Sequence, residues 1–142
     1  MLNDAEVLRE VAMAQVAEVG QGFDTITIVT RNLRAVSEHE GWVARGGVEE
    51  KIFPSDEAMK ILGKHREDAY RPGVGTWFSA KVTIHARGSV DADFDYDNEP
   101  SWLFDAPPPV AFVKDFEKFP RDEEHTPAWL AEKLKKGRRR TT

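Results

Sequence analysis

The chain holds 142 residues, 40% apolar and 32% charged, with no cysteine; that is one domain's worth of sequence, and it excludes disulfides, thiol catalysis and cysteine-ligated metal centres. Charge is uneven: six of the 20 Lys and Arg fall in residues 133–142, which leaves 14 elsewhere against 25 Asp and Glu. No apolar run approaches the ~18 residues of a membrane span, and the opening MLNDAEVLRE is charged where a secretory leader is apolar, so the expected location is the cytoplasm.

Asn3 and Glu6 are spaced as a capping box. Leu8, Val11, Ala12, Val16 and Val19 follow near helical period until Gly20 and Gly22 end the helix. Residues 24–30 alternate and are rich in β-branched side chains, a strand pattern. Arg31-Asn32 turns the chain into a weaker strand over residues 33–39. Residues 40–47, with Gly41, Gly46 and Gly47, read as a loop, and residues 48–53 as a short third strand. Ser55 caps a second helix whose only strong anchors are Met59, Ile61 and Leu62, which places it on the surface. Residues 71–76 suit neither helix nor strand and form a loop.

The best-determined element is a hairpin of residues 77–86 and 89–97. A two-residue turn would mix apolar and charged side chains on one face. A three-residue loop with Gly88 left-handed pairs Ile84 with Val90, Val82 with Ala92, Ala80 with Phe94 and Phe78 with Tyr96, so the apolar match selects it. The opposite face then carries Trp77, Ser79, Lys81, Thr83 and His85 against Asp97, Asp95, Asp93, Asp91 and Ser89. Pro107-Pro108-Pro109 has apolar flanks and is expected to pack on the body. Thr126-Pro127 starts a last helix with Trp129, Leu130 and Leu134 inward. The expected architecture is α+β: an antiparallel sheet of four to six strands with an N-terminal helix and further helices packed on one face. Residues 1–134 form the single domain, and residues 135–142 a disordered basic tail.

Asp91, Asp93, Asp95 and Asp97 are the most distinctive local feature. Four acids on one strand face, ~6.6 to 6.8 Å apart along the chain, repel one another mildly and are unusual in a strand. They suit a basic partner, which they would steer and hold. A divalent cation with His85 is a second use, giving a metal-assisted hydrolase, although one straight strand spaces oxygen ligands widely. A solvated outer face is the plain structural role. Arg71, Gly73 and Gly75, and Arg45, Gly46 and Gly47, read as two exposed glycine-bearing tips able to probe a cleft. No nucleophile elbow surrounds Ser79 or Thr83, and His39, His65 and His125 show no metal-ligand spacing. No catalytic residue, metal or cofactor is assigned. The basic tail reads as a solvated helix end, without the interleaved aromatics of a nucleic-acid site.

The run Gly75-Thr76-Trp77-Phe78-Ser79-Ala80, then Gly88, then Asp93-Phe94-Asp95-Tyr96-Asp97-Asn98-Glu99-Pro100 resembles the YezG-type immunity proteins of bacterial polymorphic toxin systems. Phe119-Pro120-Arg121 leading to Pro127-Ala128-Trp129-Leu130 is similar to the C-terminal part of actinobacterial relatives. The likeness covers mainly residues 74–132, and its motifs mark a sheet and its packing. It implies a non-enzymatic protein that binds a cognate toxin domain, for example an NAD-degrading enzyme, and blocks its active site by occlusion. No membrane or nucleic-acid partner is implied.

Overall fold

A computed structural model describes residues 3–141. Helix α1 (Asp4–Val19) starts where Asn3 Oδ1 accepts the Glu6 amide at 2.9 Å, and it ends at Gly20, φ +83°. Strands β1 (Thr25–Asn32), β2 (Ser37–Arg45) and β3 (Val48–Ile52) follow, then helix α2 (Asp56–Asp68), strands β4 (Ser79–His85) and β5 (Val90–Asp95), and helices α3 (Pro109–Lys118) and α4 (Ala128–Thr141). All strand pairs are antiparallel in the order β3-β2-β1-β4-β5, so β3 and β5 are the edges. This is the expected α+β sheet, with five strands. No helix among the described residues is long and apolar enough to cross a membrane.

One sheet face and helices α1 and α2 enclose the main core, where Val11, Ile26, Ile28, Ala58, Leu62, Trp77 and Val82 are fully buried. Helices α3 and α4 pack on each other, and with Leu33 and Phe78 they form a second core. A buried ion pair links the two. Arg66 of α2 donates two hydrogen bonds, 2.8 and 2.9 Å, to the two carboxylate oxygens of Asp115 on α3. Arg66 also donates to the Trp77 carbonyl at 2.6 Å, while Asp115 accepts the Arg34 amide at 2.7 Å.

Several expectations are corrected. Residues 40–45 belong to β2, and the turn is only Gly46-Gly47, both at positive φ. Gly41 sits inside the strand, where an added Cβ would press on the Ile52 side chain at 3.1 Å. Helix α2 is half-buried rather than superficial, because Ala58, Leu62, His65 and Arg66 all face inward. Helix α3 was not foreseen. Residues 135–141 are helical rather than disordered: α4 continues past Gly137, where any Cβ would strike Val113 and the Pro109 carbonyl, so glycine lets the two helices meet. Thr142 lies outside the described residues.

The β4–β5 hairpin has the expected register, with Ile84, Val82 and Ala80 opposite Val90, Ala92 and Phe94, and with Gly88 at φ +98°. Its far end departs from the alternation. The Phe78 amide donates to the Asp95 carbonyl at 2.8 Å although Ser79 is the residue registered with Asp95. Two residues thus face one, a β-bulge, so Phe78 joins the second core instead of pairing with Tyr96. Trp77, placed on the polar face by simple alternation, turns into the main core.

Candidate partner-binding surface

The expected site residues separate into three places. Asp91, Asp93 and Asp95 lie on the outer face of edge strand β5, opposite Thr83, Lys81 and Ser79. Asp91 is 76% exposed and meets His85 Nε2 at 2.8 Å. Asp93 is exposed beside Lys81. Asp95 closes the strand by accepting from the amides of Asp97 and Asn98 and from the Asn98 side chain. Burial alone would raise its pKa, but these donors win and hold the carboxyl below its ordinary value. Asp97 is outside the ladder, because the chain leaves the sheet after Asp95.

The first glycine-bearing tip is no free probe. Arg121, with its side chain almost wholly buried, runs beneath residues 73–76. It donates to the carbonyls of Thr76 (3.0 Å), Tyr96 (2.5 Å) and His125 (3.0 Å), and to Asp97 Oδ1 at 3.3 Å. Gly75, at φ +106°, is glycine because a Cβ would overlap the Arg121 guanidinium; Gly73 passes similarly close to Asp122. Arg71 is exposed and, with Gly75 and Asp97, lines a cleft of about 660 Å³ that also holds Asp4, His65, Tyr96 and His125. In that cleft His65 Nδ1 accepts from the Trp77 indole N–H at 3.1 Å, so the ring proton sits on Nε2, 2.9 Å from Asp4. Both nitrogens are engaged, which suits anchoring better than proton transfer.

The second tip, Arg45-Gly46-Gly47, lies at the opposite end of the sheet. Gly46 and Gly47 are exposed, but Arg45 donates to the carbonyls of Gln21 (2.9 Å) and Val19 (3.2 Å), which ties it to the end of α1. Arg45, Gly73 and Gly75 are therefore tied into the scaffold as well as standing on the two tips.

The ladder carboxylates each have a separate neighbour and do not converge. Among the described residues the group that does bring three ligand atoms together is Asp122, Glu124 and His125, on an exposed turn. Asp122 is already used there, accepting from the His125 amide and ring, so the cluster has a structural explanation. Sequence spacing had left His125 without partners; the tight 3-10 turn at residues 123–125 supplies them.

A polar cleft of about 520 Å³ between the β1–β2 turn and α2 includes His39, whose Nδ1 lies 2.9 Å from Thr30 Oγ1. Burial lowers the His39 pKa below its ordinary 6.5, against the opposing pull of Asp56. The unfolded chain therefore takes up this proton at higher pH than the folded one. Stability conferred by neutral His39 is present above 6.5 and is lost as pH falls through the lower folded value. Thermal unfolding between pH ~7.5 and ~5 should show a decline that His39→Gln flattens; an unchanged slope in the variant would assign the decline to other groups.

The chain matches no family model. It matches no curated protein either.

Proposed function

We propose that this is a cytoplasmic immunity protein, which binds a cognate toxin domain and blocks its active site by covering it. The observation that carries the proposal is the exposed acidic face of β5. Asp91 and Asp93 stand on a register-fixed strand with their carboxylates exposed to solvent, beside His85 and Lys81, where a basic surface can reach them. The acidic balance of the chain outside its last ten residues acts in the same direction by steering a basic partner from a distance. The resemblance of residues 74–132 to YezG-type immunity proteins supplies the toxin as the partner. A metal-assisted hydrolase built on the ladder and His85 has weaker support, because Asp91 meets His85 at one end while Asp95 is occupied by Asn98 at the other.

The test is a pull-down of the tagged protein from its own cells, alongside a variant carrying Asp91→Asn and Asp93→Asn. The expected result is one stoichiometric partner that is toxic when expressed alone and harmless when co-expressed with this chain, and that is recovered less by the variant. If cells shown to express a neighbouring toxin yield no such partner, the proposal fails.

A further inference from the structure

Strand β5 is an edge, and its backbone phase can be read from the hairpin. The His85 amide donates to the Ser89 carbonyl at 2.9 Å, so Thr83–Asp91, Lys81–Asp93 and Ser79–Asp95 are the hydrogen-bonded pairs. The N–H and C=O groups of Val90, Ala92 and Phe94 consequently point away from β4, toward an edge on which no strand lies among the described residues. Beside that edge, on the core side, α1 leaves an open groove of about 840 Å³. Leu8, Ala12, Met13 and Val16 of α1 line one side and Ile84 and Val90 the other, and Met13 is 67% exposed. Val90 belongs to both, so the groove adjoins the outward-pointing backbone groups at the hairpin end of the edge.

We infer that β5 accepts an extended segment of a partner protein as a sixth strand, and that the segment alternates apolar and basic residues. Alternation follows from the pleat: side chains of an added strand point by turns to the α1 groove and to the outer face. The groove is apolar with Arg9 at its rim, which disfavours a basic side chain there. The outer face presents Asp91, Asp93 and Asp95, which select lysine or arginine. A second copy of this chain is a poor occupant, because two β5 edges would set Asp against Asp. This inference rests on the protein being a binding protein, and it specifies how the partner is held.

The probe is a short synthetic peptide alternating lysine and valine, compared with one of the same composition in which lysines and valines form two blocks. Titrated into the isotope-labelled protein, the alternating peptide should shift amide resonances of residues 90–95 and of the groove-facing side of α1, and it should bind about tenfold more tightly than the block peptide. Ala92→Pro removes an outward-pointing N–H and no bond to β4, so it should abolish binding while the β4–β5 hairpin persists. Met13→Arg, on an exposed helix position, should weaken binding in a second and structurally mild way. Equal binding of both peptides, or shifts away from β5 and α1, would overturn the inference. A toxin neutralised equally well by wild type and by both variants would also overturn it, and would leave the immunity function standing.

Discussion

Replacing Asp115 with Ala is expected to destabilise the fold by about 3–5 kcal/mol, the cost of stranding a buried charge. Arg66 is buried and spends its guanidinium on Asp115 and on the Trp77 carbonyl, with its Cζ 5.1 Å from the Phe119 ring centre. Without the carboxylate, that cation has no counter-charge, and the Arg34 amide loses its acceptor. The pair also joins α2 to α3, so its loss loosens the contact between the two cores. Urea unfolding at constant m-value measures the change. A double variant, Arg66→Met with Asp115→Leu, should recover part of the loss, because no buried charge is then stranded, although the Arg34 amide and the Trp77 carbonyl still lose their partners. A single-variant cost below about 1 kcal/mol would show that water reaches the pair.

Arg121→Ala is expected to cost about 2–4 kcal/mol, since it leaves the Thr76 and Tyr96 carbonyls without their donor beneath the residue 73–76 loop. Gly75→Ala should act through the same contact from the other side, by forcing a Cβ into the guanidinium at a backbone conformation that L-residues avoid. Both variants should lower the melting temperature, and the folded fraction should bind the partner as wild type does. If Gly75→Ala left stability intact and removed binding, the loop would be a contact surface after all.

The hairpin register was legible because alternation, the glycine turn and the apolar match all point to one pairing. The bulge at Phe78 was not: nothing in a run of alternating residues marks where two of them will face one. Gly41 misled because a strand glycine pressed by Ile52 and a loop glycine look alike without their neighbours. The same ambiguity governs Gly75, whose missing side chain makes room for the distant Arg121, and Gly73, which passes close to Asp122. Asp97 continues the ladder in sequence only, since the Asn98 bonds to Asp95 end the strand first. Helix α3 was hidden by its proline opening, although Pro109 at its first turn is where proline fits. The exposed acids of β5 were legible from pattern alone; the apolar groove beside them was not, because it depends on how α1 crosses the sheet.

The central claim is that the acidic face of β5 meets a basic partner. It is tested most directly by the association rate of the captured partner with wild type and with the Asp91→Asn, Asp93→Asn variant, measured at low and high salt. Asp95 is left in place because it holds the Asn98 turn. The expected result is association slowed about tenfold in the variant at low salt, with a flatter salt dependence and a smaller change in dissociation. Identical association rates at every salt concentration would contradict the account and place the binding surface elsewhere on the protein.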